Sequence, residues 1–139
     1  MKKALAGVLA AGVFLAGAGT AFASSWKEAN PIEVDRKVVL KDIEYRFNPA
    51  HHNHGAFEWR GALKDLDPGD GRNGYVRIRV ENRGWVHYYG KQRSTVRMHH
   101  SNWEGSQLYT DDADISVCLD RGALRWDDCT NGVHFSTHR

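Results

Sequence analysis

Cysteines and long apolar runs are scarce in this sequence, and each shortage excludes a class of protein. Among 139 residues there are two cysteines, whose separation fits neither a CxxC redox pair nor a thiolate metal site. The one long apolar run, Ala4 to Ala18, is too short and too poor in large side chains for a membrane span, which needs about 20 apolar residues. Because no internal repeat or interdomain linker is present either, we predict one small domain with no membrane span.

Sequence signatures of enzymes are also missing. The chain has no Walker, Rossmann or zinc-protease motif and no Gly-x-Ser-x-Gly nucleophile elbow. A catalytic triad is defined by geometry that a sequence does not display, and so small a domain leaves little room for a glycosidase cleft. We therefore expect a non-enzymatic protein without a cofactor.

The amino terminus has the pattern of a secretory signal. Lys2 and Lys3 precede the apolar run, and Ala21-Phe22-Ala23 places small residues where a signal peptidase reads the chain. Cleavage after Ala23 would leave 139 minus 23, or 116, residues, the size of one domain with one core. We predict a secreted, extracellular protein in which a leader, residues 24–37, precedes a β domain over residues 38–139.

The net charge of the predicted mature chain is zero. Without Lys2 and Lys3, the 19 Lys and Arg residues become 17, which equals the number of Asp and Glu residues. This balance argues against nucleic acid as a partner, since such binding depends on excess positive charge. The charges are nevertheless segregated, with basic residues concentrated in residues 72–100 and acidic residues in 101–129, and we expect the two groups to be complementary within the fold.

Cys118 and Cys129 both lie in the predicted exported part. In an oxidising compartment two cysteines close in sequence are expected to pair. A ring of that size stabilises a fold by roughly 3 kcal/mol on the chain-entropy model. We predict a structural disulfide that holds the Asp-rich loop, residues 119–128.

Strand patterns cover most of the chain after the leader. The clearest is Tyr75 to Glu81, where Val76, Ile78 and Val80 alternate with larger polar side chains. Turn residues separate the segments, as in the Asp67–Gly71 cluster. About seven short strands in roughly a hundred residues predict a single antiparallel β-sandwich or barrel-like domain. Only Glu28 to Lys41 could hold a helix.

A set of turn motifs carries a resemblance to known proteins. The motifs are Gly61–Gly71, Tyr75-Val76-Arg77, Gly84-Trp85 and Val117–Gly122 followed by Cys129. Together they resemble small secreted single-disulfide proteins of actinobacteria, Streptomyces in particular, whose function is unknown. The resemblance covers roughly Phe57 to Cys129 and implies a secreted, bridged β domain without catalytic residues.

Strand pairing predicts one surface that could bind a ligand. If Gly84 closes a three-residue hairpin loop, Arg79 pairs with His87 and Arg77 with Tyr89. A further pairing of Tyr88 with Val96 would add the next strand. Guanidinium groups beside aromatic rings suit an anionic or sugar-like ligand, although a solvated sheet face has the same alternation. The predicted face comprises Tyr75, Arg77, Arg79, Trp85, His87, Tyr89, Arg97 and His99.

A histidine cluster is the second candidate site. His51, His52 and His54 precede Gly55, and imidazole is a common ligand of zinc and copper. No recognised metal-ligand spacing is present. The cluster is a weak metal candidate whose simpler interpretation is a solvated polar turn.

Three functions remain as hypotheses. The first is a secreted, non-enzymatic β-sandwich that binds a wall or extracellular polysaccharide. The second is a secreted inhibitor or interaction protein that presents the bridged loop 119–128 to an extracellular enzyme, with Leu124, Arg125 and Trp126 as anchors. The third is a histidine-dependent metal binder or hydrolase.

Overall fold

The computed structural model describes residues 24–137. Within them the chain forms ten strands and one short 3-10 turn, Asn53–Gly55. The predicted signal segment and its cleavage site fall outside the described residues. In chain order the strands are β1 (Lys27–Ala29), β2 (Ile32–Val34), β3 (Val38–Phe47), β4 (Phe57–Asp65), β5 (Gly74–Val80), β6 (Val86–Tyr89), β7 (Thr95–Asn102), β8 (Asp112–Leu119), β9 (Asp128–Cys129) and β10 (Val133–Ser136).

The strands form two antiparallel sheets. Sheet 1 has the order β1-β3-β4-β7, with β2 also paired to β3, and sheet 2 has the order β10-β8-β5-β6, with β9 paired to β8. The predicted all-β, sandwich-like class is confirmed. The strand count is ten rather than about seven because β1, β2 and β9 contain only two or three residues each, too few to show a recognisable alternation.

The core lies between the inner faces of the two sheets. Trp59 and Phe57 from sheet 1 and Ile78, Ile115 and Val117 from sheet 2 are fully buried. Since side chains alternate between faces along a strand, the residues between these positions point away from the core. The outer face of each sheet is therefore available for polar side chains.

Residues of the predicted leader form strands of sheet 1, so the alternative of a helix over Glu28–Lys41 is wrong. Strands β1 and β2 both pair with β3. Ile32 and Val34 are buried on β2 while Glu33 is exposed, so this segment follows the period of a strand. Pro31 lies between β1 and β2, where a missing backbone N–H disrupts neither ladder.

The hairpin between β5 and β6 differs from the predicted three-residue loop. Arg77 pairs with His87 and Tyr75 with Tyr89, a shift of two residues from the predicted register. The positive φ angles fall on Glu81 and Asn82 rather than on Gly84, so the predicted three-residue loop closed by Gly84 is wrong. Because the shift is an even number of residues, the same side chains still share a face.

The predicted disulfide is confirmed. Cys118 and Cys129 are bonded, with their Cα atoms 4.1 Å apart. They are directly paired residues on β8 and β9, so the bridge joins two neighbouring strands at the base of the loop between them.

Candidate functional site

Six of the eight residues predicted for the binding surface are clustered on sheet 2. The alternation that turns Val76, Ile78 and Val80 into the core turns the side chains between them outward. Strand β6 adds its own outward side chains beside them. We call this surface the sheet 2 face, and its predicted members are Tyr75, Arg77, Arg79, Trp85, His87 and Tyr89.

Aromatic rings cover one end of the sheet 2 face. The Tyr75 ring centroid lies 4.9 Å from that of His87 and 4.9 Å from that of Tyr89. Tyr75 is only 4% exposed, whereas Tyr89 is 56% exposed and His87 is also exposed. Tyr75 therefore supports two rings that remain accessible to solvent.

Two guanidinium groups stack on Trp85 at the other end of the face. The Arg77 and Arg79 guanidinium carbons lie 4.3 and 4.5 Å from the Trp85 ring centroid. Such stacking is favourable because the ring face carries partial negative charge. A Cβ atom added at Gly132 would lie 3.5 Å from Trp85. The indole thus extends across sheet 2 from the beginning of β6 toward the beginning of β10.

The two arginines differ in their charge partners. Arg79 Nε donates to Asp114 Oδ2 at 3.0 Å. Arg77 forms no ion pair within residues 24–137, and its Nε is buried without a hydrogen-bond partner there. Arg77 is consequently the cation on this face that has charge left to offer a ligand.

Asp114 also binds a histidine that the sequence analysis did not select. His134 Nδ1 lies 2.9 Å from Asp114 Oδ1, and its Nε2 lies 3.2 Å from Asp112 Oδ1. The hydrogen bond with Asp114, together with the charges of both carboxylates, raises the pKa of His134. Arg79, Asp112, Asp114 and His134 line a shallow groove of about 450 Å³ at this end of the face.

The bridged loop borders the ring end of the face. The Tyr75 hydroxyl donates to Asp127 Oδ2 at 2.6 Å, and the backbone N–H of Arg121 donates to Asp127 Oδ1 at 3.1 Å. Burial and the bond with Asp127 raise the pKa of Tyr75 well above its usual value. The Asp127 carboxylate thereby ties both the sheet and the start of the loop together.

Two large apolar side chains project from that loop. Leu124 is 98% exposed and Trp126 is 93% exposed. The loop is held by the Cys118–Cys129 bridge, so these side chains sit on a constrained segment rather than on a free tail. Such exposure of Trp126 is unusual, because Trp is highly buried on average.

Arg97 and His99 do not belong to the sheet 2 face, which corrects the predicted eight-residue surface. After β6 the chain crosses to the other sheet, where β7 pairs with β4. The expected pairing of Tyr88 with Val96 is absent, since Val96 pairs with Leu63. Arg97 and His99 thus lie on the outer face of sheet 1.

His99 is held there by a buried carboxylate. Its Nε2 lies 2.6 Å from Glu58 Oε2, while Arg46 Nε and Asn48 Nδ2 donate to Glu58 Oε1 at 2.9 and 3.1 Å. Burial by itself would raise the pKa of Glu58, but the hydrogen bonds from His99, Arg46 and Asn48 outweigh it and lower the pKa to about 2. Glu58 therefore stays ionised and orients the imidazole.

The histidine cluster does not form a metal site in the described part of the chain. No group of three or more His, Cys, Asp or Glu residues between Ser24 and Thr137 is placed to hold a metal ion. His51, His52 and His54 are all exposed, and the His54 ring stacks on Trp103 with centroids 4.1 Å apart. The polar-turn interpretation accounts for these contacts.

Sequence reasoning did not select Asp114, His134 or Asp127 as site residues. Asp114 alternates with buried Ile115 and Ala113 on β8, so its outward position could have been found from the strand pattern. Asp127 meets Tyr75 across 52 positions of sequence, and no local signal predicts such a contact.

Comparisons with protein-family models, with curated proteins and with solved structures found no match to this chain. Between Ser24 and Thr137 the structure contains no helix with the length and apolar character needed to cross a membrane.

Proposed function

We propose that this chain is an extracellular, non-enzymatic binding domain that holds a wall or extracellular polysaccharide on the sheet 2 face. The observation that carries the proposal is the continuity of that face. The rings of Tyr75, His87 and Tyr89 contact one another, and two guanidinium groups stack on Trp85 beside them.

The chemistry of this face suits a sugar polymer. Aromatic rings offer flat apolar area with little conformational freedom to lose, and the C–H faces of sugars pack against such rings. Charged side chains at the same surface form strong hydrogen bonds to hydroxyl and carboxylate groups. Because Arg77 has no carboxylate partner in the described chain, a polymer that carries acidic groups is favoured over a neutral one.

An extracellular location agrees with the disulfide, which persists in oxidising compartments. The main support for an extracellular location is the predicted signal segment, residues 1–23. The proposal is therefore tested on protein recovered from the medium.

The test is co-sedimentation of the secreted protein with insoluble cell walls, and with walls stripped of their acidic polymers. We expect Arg77→Ala and Tyr89→Ala each to weaken wall binding about tenfold, the effect of removing one charged or stacking contact of roughly 1.4 kcal/mol. Binding should fall further as salt is added, because exposed charges are screened.

The matched control is Trp103→Ala, which removes a ring that is 43% exposed and lies outside the sheet 2 face. Binding by this variant should equal that of the wild type. If Trp103→Ala and Tyr89→Ala lose the same amount of binding, the sheet 2 face is not the binding surface.

The bridged loop supports a second candidate function, an inhibitor or interaction protein for a secreted enzyme. The specific observation is the exposure of Leu124 and Trp126 on a segment held by the disulfide. A loop that is already ordered loses little entropy on binding, and buried aromatic anchors dominate protein interfaces.

The two candidates predict different variant profiles. Leu124→Ala with Trp126→Ala should abolish inhibition of extracellular hydrolases while leaving wall co-sedimentation unchanged. Loss of wall binding without any effect on hydrolases would assign the loop to the polysaccharide surface and remove the second candidate.

A further inference from the structure

Four basic side chains surround Ala62 on the outer face of sheet 1. Lys41 on β3 and Arg97 on β7 are the residues paired with Ala62 on its two sides. Arg60 and Lys64 are its neighbours of the same orientation along β4. We call these four residues the basic cluster.

The spacing allows Lys41, Lys64 and Arg97 to reach toward one point, whereas the Arg60 guanidinium is held by Glu44 and by the Trp26 ring, whose centroid lies 4.0 Å away. Paired residues on adjacent strands have Cβ atoms about 5 Å apart, and residues two apart along a strand are separated by roughly 6.6 Å. The long Lys and Arg side chains exceed both distances. Ala62 is only 1% exposed, so its small side chain forms a floor beneath the surrounding stems.

Most of the positive charge in the cluster is not neutralised. Arg60 forms a two-contact ion pair with Glu44, at 3.0 and 3.3 Å. Lys41, Lys64 and Arg97 have no ion-pair partner among residues 24–137.

The groove beside the cluster contains two carboxylates, that of Glu44, which pairs with Arg60, and that of exposed Asp42 at the bulge in β3. That groove, of about 390 Å³, is also lined by Arg60, Arg97 and His99. Glu33 on β2 points outward opposite Val39, which separates it from Lys64, so three carboxylates, those of Glu33, Asp42 and Glu44, adjoin the four cations.

Opposite charges on paired positions stabilise a sheet, and sheet 1 has such pairs in Arg46–Glu58 and Arg60–Glu44. Within residues 24–137, Lys41, Lys64 and Arg97 have no such partner, and the residue between Lys41 and Arg97 is uncharged Ala62. A bound polyanion would reduce the repulsion among these three cations.

We infer that the basic cluster binds a multiply charged phosphate group. A phosphate carries about −1.5 to −2 charges at neutral pH and several strong acceptor oxygens, which match several converging cations better than a single carboxylate does. Arg97 supplies a planar fork suited to bidentate contact, and the two lysines supply point charges. This site is on the sheet opposite the proposed polysaccharide surface and stands independently of it.

The test uses pyrophosphate as the probe, titrated into the secreted protein and followed by backbone amide chemical shifts and calorimetry. We expect the largest shifts at Lys41, residues 60–64 and Arg97. Lys64→Gln with Arg97→Gln should weaken pyrophosphate binding at least tenfold, and because both side chains are exposed, the thermal unfolding midpoint should stay close to that of the wild type.

The control removes the same charge elsewhere. Arg36→Gln with Arg125→Gln changes two other exposed residues and should leave pyrophosphate affinity within about twofold of wild type, since neither residue adjoins Ala62 in the sheet. An equal loss in both double variants would overturn the site. So would chemical shifts centred on Arg77 and Arg79, or citrate binding as tightly as pyrophosphate, which would overturn the phosphate assignment.

Discussion

Glu58 combines two properties that rarely occur together on the outer face of a sheet. It is only 7% exposed, yet the hydrogen bonds from His99, Arg46 and Asn48 hold its pKa at about 2. A carboxylate kept ionised by such partners stabilises the folded state. The stability that this carboxylate contributes therefore depends on pH in a predictable way.

The folded-state pKa of Glu58 lies below its usual value of 4.5. The stability that it contributes is therefore fully present above that value and is lost as the pH falls toward 2. A difference of that size corresponds to roughly 3 kcal/mol of unfolding free energy. We expect Glu58→Gln to be less stable than wild type at pH 7 by up to about that amount and to show a weaker loss between pH 5 and pH 2, measured by urea denaturation.

The matched control is Glu44→Gln, which removes a carboxylate that is 36% exposed and paired with Arg60. Exposed ion pairs contribute about 0–1 kcal/mol, so this variant should keep the acid sensitivity of wild type. Equal pH dependence in wild type and Glu58→Gln would show that the carboxylate is not stabilised by its partners.

At the scale of single elements, β5 shows how alternation separates stability from binding. Ile78 is fully buried, whereas the Arg79 side chain is 31% exposed and paired with Asp114. We expect Ile78→Ala to lower the unfolding free energy by roughly 2–5 kcal/mol, the range for truncating a buried side chain. Arg79→Ala should cost about 1 kcal/mol or less, and a larger loss than that of Ile78→Ala would contradict the observed orientation of β5.

The β8–β9 pair depends on its disulfide, because β9 contains only two residues. Cys118→Ala with Cys129→Ala should lower the unfolding free energy by roughly 3 kcal/mol, chiefly by freeing the unfolded chain. Denaturation of the wild-type protein with and without reductant gives the same comparison without a mutation. Identical midpoints under the two conditions would show that the bridge adds no stability.

At the scale of the whole molecule, the two sheets give the protein two separate outer surfaces. The sheet 2 face carries rings and arginines, and sheet 1 carries the basic cluster and the Glu58–His99 pair. Sheets in a sandwich pack about 10 Å apart, so a ligand on one face does not contact the other. The proposed polysaccharide and phosphate sites could be occupied together.

Secretion is a prediction about the whole molecule, made from its amino-terminal segment, residues 1–23. Amino-terminal sequencing of protein recovered from the medium should begin at Ser24, or within a residue or two of it, because Ala21 and Ala23 occupy the positions read by signal peptidase. A retained Met1 in the extracellular fraction would contradict the predicted signal. The resemblance to secreted actinobacterial proteins likewise stays a prediction.

By itself the sequence determined the all-β class, the disulfide partners and the side chains of β5 and β6 that share a face. Each of these follows from local information. Alternation has a period of two residues and survives an even shift in register, and two cysteines can pair in only one way.

Only the tertiary structure decided which sheet each strand joins, and with it which surface each side chain helps to form. Pairing of β7 with β4 moved Arg97 and His99 away from Arg77 and brought Arg97 beside Ala62. The bond between Tyr75 and Asp127 likewise joins distant parts of the chain. Such contacts depend on the packing energy between segments that are remote in sequence, and a local sequence pattern contains no information about that energy.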